Sequence, residues 1–558
     1  MFNTRIKRPF FLLLTGMILL LSVASAAAAK PTTVNLQILG VNDFHGNLEP
    51  PAGSAGRIGT IDAGGVEYLA THIDQLRATN PNTVVVSAGD LIGASPLISA
   101  LFHDEPTIEA FNLIGLDYNA VGNHEFDEGA AELVRMQEGG CHPVDGCQDG
   151  DPFEGADFQF LAANVVWEKN NKTLFPAYKV RSFGGAKVAF IGMTLEGTPT
   201  IVTPSGVAGL KFLDEADTVN ALVPQLKAKG INTIVVLIHE GGFPSGGYNE
   251  CPGISGPIVD IVNRTDDEVD LFISGHTHQG YNCVIDGRVV TSAASFGRLV
   301  TDIDLTIDLK TGQPTSIKAN NLIVNRDVPK SSLLTALVDK YRTLVTPLAN
   351  RVIGSITADI TRTNNAAGES ALGDVIADAQ LEATAPVGFG EAVVAFMNPG
   401  GIRTDLSFNQ ISGGEQPGEV TYGESFNVQP FGNSLVTMSL TGTQIDMLLE
   451  QQFDNPAIGS NRILQVSNGF TYIWSASAPT GSKVDIASIQ ISGVPINPNA
   501  AYRVTVNSFL ADGGDNFAVL RDGTNRLGGD VDTDALEAYF KAHSPVAPGP
   551  QNRIVQVP

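Results

Sequence analysis

The chain has 558 residues, of which 43% are hydrophobic and 17% charged, a balance that gives ample core material and excludes a disordered chain. At about 150 residues per domain the length fits three or four domains, or two large ones. Fifty-nine Asp and Glu against 34 Lys and Arg give a formal charge of -25, which argues against a nucleic-acid polymer as the main partner, because phosphate backbones need a basic footprint.

Arg5, Lys7 and Arg8 precede the apolar run Phe10 to Leu21, and Ser25 to Ala29 offer small-residue cleavage sites before Lys30. This is the layout of a secretory signal peptide over residues 1–29. The rival reading is an uncleaved anchor, since residues 10–29 carry no charge. The alanine tail is a poor membrane core and a good peptidase site, so cleavage is the expected outcome. It removes three cations and no acid, moving the net charge from -25 to -28. The expected product is exported, periplasmic or extracellular, with no stable membrane insertion. An oxidising compartment permits disulfides, and the loop-like settings of the four cysteines favour the local pairing 141–147 and 251–283. A zinc site is the lesser reading of these cysteines, since there is no C-x-x-C pair.

Over residues 34–325 short β-rich runs alternate with helical patterns, which predicts a layered α/β domain. Five runs share a feature. Val34 to Val41 leads into Asn42-Asp43-Phe44-His45, and Thr83 to Val86 into Ser87-Ala88-Gly89-Asp90. Tyr118 to Val121 leads into Gly122-Asn123-His124-Glu125, Thr233 to Ile238 into His239, and Asp270 to Ile273 into Ser274-Gly275-His276-Thr277-His278. Each apolar strand delivers Asp, Asn or His at its C-terminal end, the edge where α/β sheets bind ligands. Any one of these is most simply a turn residue. Together they gather five of the nine histidines.

Asp43, Asp90 and Asn123 offer oxygen, and His45, His239, His276 and His278 offer nitrogen. Mixed donors without thiolate suit Zn, Mn or Fe, and the set is too large for one ion but right for two sharing a carboxylate. In an extended segment, Asp43-x-His45 and His276-x-His278 each place both side chains on one face. Two such ions form a clamp for phosphoryl transfer. His124, with Asp127 three residues on, can be held protonated beside the substrate to assist the leaving group. The simpler role for that pair is a supporting hydrogen bond behind the metal ligands.

The blocks NDFHG, SAGD, GNHEFD, IHEGG and SGHTH, in this order, resemble the calcineurin-like metallophosphoesterase superfamily. GNHEFD followed by NPGGIR resembles, within it, the secreted 5′-nucleotidase family, which includes bacterial periplasmic UDP-sugar hydrolases. The likeness runs from about residue 34 to 550. It implies a four-layer αββα metallophosphoesterase domain over 34–327, a connector helix over 328–352, and a smaller α+β substrate-binding domain over 353–558. It also implies two divalent ions (Zn, Mn, Co or similar). One is held by Asp43, His45, Asp90 and His278, the other by Asp90, Asn123, His239 and His276, with His124 and Asp127 as the catalytic dyad.

The connector segment has helical periodicity in Leu333, Leu334, Leu337, Val338 and Tyr341, with Ser331 as a candidate cap. Residues 353–558 contain one histidine, His543, and must contribute something other than metal chemistry. Their candidates are residues 398–403, 429–433 and 509–517. Glycines there let the backbone approach a ligand, Arg403 has the fork geometry for a phosphate, and aromatic rings can sandwich a base. Taken singly, such a Phe is a core residue and such a Gly-Gly pair a turn. The resemblance assigns Phe431 and Phe509 to base stacking and Asp515 to the ribose. It assigns Asn398, Gly401 and Arg403 to the substrate loop, and Arg362 to a further phosphate contact.

The expected activity is release of phosphate from a nucleoside monophosphate by metal-activated water, with UDP-sugars or other nucleotides as further substrates. A 2′,3′-cyclic-nucleotide 2′-phosphodiesterase/3′-nucleotidase shares the metal blocks and is the competing enzyme reading. A non-catalytic exported nucleotide-binding protein is the reading from another class, opposed by the complete ligand set and the His124/Asp127 pair.

Overall fold

Side-chain alternation along the first strand, Thr33–Val41, feeds two different cores: Leu36 and Ile38 enter one, Leu39 and Val41 the other. Thr83–Ser87 repeats the pattern, with Val84 and Val86 on one side and Val85 on the other. On Thr233–His239, Val235 and Leu237 share the core of Leu36, while Ile234, Val236 and Ile238 enter a third. Two sheets therefore face each other across the core of Leu36 and Leu237. This architecture is that of a computed structural model describing residues 31–51, 53–202 and 204–558. The expected signal peptide lies outside the described residues, among which no helix is long and apolar enough to cross a membrane.

The first sheet runs Pro314–Ile323, Leu299–Asp308, Thr33–Val41, Thr83–Ser87, Tyr118–Ala120, Gln159–Leu161. The second runs Gly280–Ile285, Arg288–Ala293, Leu271–Ser274, Thr233–His239, Ala186–Thr194, Tyr178–Phe183. Helices Val66–Arg77 and Glu105–Ile114 cover the outer face of the first, and Glu215–Ala228 and Pro257–Arg264 that of the second. The expected αββα layering is present. The strands Thr33–Val41, Thr83–Ser87 and Tyr118–Ala120 are mutually parallel, as are Thr233–His239 and Leu271–Ser274, so their C-terminal ends gather along one edge.

The helix Ser332–Ala349 buries Leu334, Val338, Tyr341 and Val345 in the core beneath the first sheet. Leu333 is 64% exposed, because the buried stripe follows the i, i+4, i+7 positions from Leu334 and leaves its neighbour outside. Ser331 stands at the N-cap, but its side chain makes no capping bond; its backbone N–H donates to the Glu67 carbonyl instead. Beyond this helix lies a five-stranded sheet ordered Gln465–Val466, Val394–Met397, Ala501–Asn507, Ser434–Thr441, Thr524–Val531. Its Phe396, Met438 and Val504 pack with helix Gly442–Glu450, and helices Ala371–Thr384 and Asp532–His543 pack together in a separate core.

Both expected disulfides form, Cys141–Cys147 and Cys251–Cys283, and no described cysteine is free. The second closes a separation of 32 residues. Loop-closure entropy then assigns it about 3–4 kcal/mol. Replacing both Cys251 and Cys283 by Ser is expected to lower the urea midpoint of the first domain accordingly. An unchanged midpoint would mean that the local packing holds this loop unaided.

Candidate active site

At the gathered strand ends the backbone leaves the extended conformation. Asp43, His45, Asp90, His276 and His278 have φ of 49°, 47°, 52°, 70° and 56°. Asp and His tolerate this left-handed region better than most residues, and such strain collects at functional sites. The extended geometry expected for Asp43-x-His45 and His276-x-His278 is therefore not what the chain adopts. Left-handed turns aim each side chain separately, and His276 and His278 part into different donor groups. Close approach also excludes side chains nearby: a Cβ on Gly122 would lie 2.2 Å from Asp90 Oδ1.

Three overlapping groups of donors lie within 4.8 Å: Asp43, His45 and His278; His45, Asp90 and His124; and Asp90, His239 and His276. The ring tautomers are fixed from behind. His45 Nδ1 meets the Gly93 carbonyl at 2.9 Å and His239 Nδ1 the Ala88 carbonyl at 2.8 Å, so both Nε2 atoms face the site. His45 Nε2 and His278 Nε2 stand 3.1 Å apart. Burial holds both rings well below the ordinary imidazole pKa, and burial likewise lowers His276 to about 3. Uncharged imidazoles this close can share a hydrogen bond, and as neutral rings both can also serve as ligands to a cation.

His239 Nε2 lies 2.9 Å from Asp90 Oδ2, and the buried Asn123 Oδ1 has no partner. Burial alone would lower His239, but the charges of Asp90, Asp43 and Glu125 outweigh it and raise the ring to about 10. The pocket thus gathers buried carboxylate, amide and imidazole donors, a set that fits divalent metal.

Beside it, His124 Nδ1 meets Asp127 Oδ2 at 2.8 Å, and the backbone N–H of His124 donates to Asp90 Oδ1 at 2.9 Å. Burial disfavours charge on this imidazole, but Asp127 and Asp90 overcome it and raise its pKa. His124 stacks on Phe431 from the second domain, centroids 5.7 Å apart, and Arg403 lies 5.7 Å over the same ring.

One cavity is walled by Asn123, His124, Asp127 and His276 on one side and by Asn398, Gly401, Arg403, Phe431, Phe509 and Asp515 on the other. Arg362 is outside this lining. Its guanidinium donates to the Ile402 carbonyl, which sets it behind Arg403 rather than in the cavity.

Two polar contributors to the cavity, Arg462 and Asn507, were not singled out from sequence, nor were the apolar Ile201 and Val202. Arg462 donates to Asp515 Oδ1 at 2.7 Å while Asn398 donates to Oδ2 at 2.8 Å, and Asn507 donates to Asn398 Oδ1 at 2.9 Å. Arg462 sits in no motif, so only the three-dimensional ion pair reveals it. Behind the metal donors, Glu125 accepts from the backbone N–H groups of Asp90, Leu91 and Gly122 at 2.9, 2.9 and 2.7 Å. Asn42 reaches Asp43 Oδ2 at 2.6 Å and the Ala294 carbonyl at 2.7 Å. Both lie inside the quoted motifs, where an extra buried polar residue is the available signal. Glu125→Gln puts an amide against three donors, and such supporting residues carry about 10–100-fold in metal affinity. That loss, read by metal titration, is the expected result; unchanged affinity would make Glu125 a fold residue only.

Residues 36–280 match the calcineurin-like phosphoesterase family, and residues 352–522 match the 5′-nucleotidase C-terminal domain. The chain is 32% identical over 528 residues to the endonuclease YhcR of Bacillus subtilis, covering 93% of this chain and 41% of that protein's length. It is 31% identical over 566 residues to the cell wall protein Lmo0130 of Listeria monocytogenes, covering 96% of this chain and 71% of the relative. A solved structure of a 5′-nucleotidase precursor from Thermus thermophilus matches with a TM-score of 0.76 at 27% identity, over 94% of this chain and 99% of that one. Both halves match in the order the fold displays them, so the chain belongs to the 5′-nucleotidase family of calcineurin-like phosphoesterases and is a metal-dependent phosphoester hydrolase.

Proposed function

We propose that this chain is an exported 5′-nucleotidase that holds two divalent ions and releases phosphate from nucleoside monophosphates. The observation that supports this most is the shared cavity, where His124 and Asp127 face Arg403, Phe431, Phe509 and Asp515. In this reading the catalytic part spans 34–327, the connector 328–352 and the nucleotide-holding part 353–558. Asp43, His45, Asp90 and His278 hold one ion, and Asp90, Asn123, His239 and His276 the other. Bound cations supply Lewis-acid charge against the phosphate oxygens and lower the pKa of water.

The chain's own residues do the rest. Arg403 brings a fixed positive charge to the phosphate in an otherwise acidic protein. With Nδ1 engaged by Asp127, the charged His124 ring carries its second proton on Nε2, which serves the leaving 5′ oxygen. Phe431 and Phe509 take the two faces of the base. Asp515, oriented by Asn398 and Arg462, keeps acceptor capacity for ribose hydroxyls. Export rests on the leader pattern in residues 1–29 and on the two disulfides.

The test is phosphate release from AMP by the mature chain before and after chelation, with Mn, Zn, Co or Ca restored. Loss with chelator and recovery with metal is the expected result. Parallel assays use 2′,3′-cyclic AMP, UDP-glucose and a DNA strand. Turnover of one of these without AMP hydrolysis would replace the reading, and silence on all four would leave a binding protein.

A further inference from the structure

Two histidines outside the strand-end cluster, His103 and His142, stack face to face with centroids 3.8 Å apart and planes 19° apart. His103 comes from the turn between helices Leu97–Ala100 and Glu105–Ile114, and His142 from the loop closed by Cys141–Cys147. Carboxylates surround the pair. His103 Nδ1 lies 2.7 Å from Glu128 Oε2 and its Nε2 lies 3.0 Å from Asp145 Oδ2, while His142 Nδ1 lies 3.3 Å from the same Asp145 oxygen. Glu132, bound to Arg135, completes the ring, and donor atoms of His103, Glu128, Glu132 and His142 all lie within 4.8 Å of one another.

We propose that His103, Glu128, Glu132 and His142 form a further divalent-cation site of the zinc class, separate from the strand-end donors. The donor chemistry carries the assignment: two imidazoles and two carboxylates without thiolate are a complete four-coordinate set for zinc. Ligands about 2.1 Å from a tetrahedral ion stand about 3.4 Å apart, so side-chain rotation closes the observed spread. The setting suits retention of an ion. Side-chain exposures of 16% for His103, 15% for His142 and 11% for Glu132, with Glu128 at 45%, leave the site open to solvent on the Glu128 side. Of the carboxylates, Glu132 is paired with Arg135, while Glu128 and Asp145 face His103. Burial disfavours charge on His103, yet Glu128, Glu132 and Asp145 overcome it and raise the ring to about 8.

An ion at this place would tie together three segments: the turn at His103, the stretch from Glu128 into helix Ala130–Glu138, and the disulfide loop of His142. One of them begins at Glu128, directly after Asp127, and a cavity lined by His103, Glu128 and Glu132 also touches His124, Asp127 and Phe431. The donors of this site are its own and are independent of the nucleotidase reading.

The test is zinc content of the full mature chain after equilibrium dialysis at micromolar zinc, compared with His103→Ala/His142→Ala. One fewer zinc per chain in the variant, with the remaining metal retained, is expected, together with loss of part of the zinc-dependent rise in Tm. Equal zinc content in the two proteins overturns the proposal. Should the double variant fail to fold, anomalous scattering at the zinc edge from crystals of the unaltered chain decides. A peak between His103 and His142 supports the site, and peaks confined to the strand-end donors overturn it.

Discussion

Replacing His124 by Ala is expected to lower turnover of AMP by roughly 10²–10⁴-fold while bound metal persists, the usual span of acid–base contributions. The geometry separates the two readouts. The hydrogen bond from His124 to the metal cage is made by its backbone N–H, which donates to Asp90 Oδ1 and survives the substitution, while its ring only meets the edge of His45, centroids 5.0 Å apart. The imidazole instead engages Asp127 and stacks on Phe431. Its removal therefore takes away a proton donor without opening the donor cluster. Turnover should fall on AMP and on ribose 5-phosphate alike, because the proton serves the common 5′ oxygen. Unchanged turnover would remove the dyad from the mechanism. Loss of metal in parallel with activity would make His124 a support for Asp90 instead. Asp127→Asn should reproduce the direction with a smaller effect, since the ring stays but loses the carboxylate that favours its charged form.

How much of this was legible in the sequence depended on distance along the chain. The strand-end donors were legible because each sits within a few residues of its own apolar run, as Asp43 does after Val41 and His239 after Ile238. The layering was legible from the same alternation. The left-handed turns at Asp43 and His278 were not, because period-two reasoning assumes extended backbone and sterics alone do not say where a chain departs from it. The exposure of Leu333 was missed because a helical stripe of Leu and Val has two candidate faces, and only the core beneath Val66–Arg77 and Glu105–Ile114 selects one. Arg462 was invisible because its partner, Asp515, is 53 residues away. The stack of His103 on His142 was invisible for the same reason: each is a lone polar residue in a loop until the fold brings the loops together.

Phe431→Ala is expected to raise KM for AMP by roughly 5–150-fold, corresponding to about 1–3 kcal/mol for one base stacked on one aromatic ring. The ring belongs to none of the hydrophobic cores, whereas Phe509 packs partly against the core of the second domain. Removing Phe431 therefore opens no core, and most of the effect should appear in binding. A complication is built into the site, because Phe431 also stacks on His124 and lies beneath Arg403. Losing it frees both side chains and can depress kcat through the dyad. Ribose 5-phosphate separates these contributions, since it meets His124 and Arg403 but has no base. KM rising for AMP alone assigns the ring to base recognition. An equal rise on both substrates, or a fall in kcat without a change in KM, would assign it to holding the dyad and Arg403 in place. Phe431→Leu adds a discriminating arm: it restores bulk beside His124 without a π face, so it should recover kcat on ribose 5-phosphate while leaving KM for AMP raised.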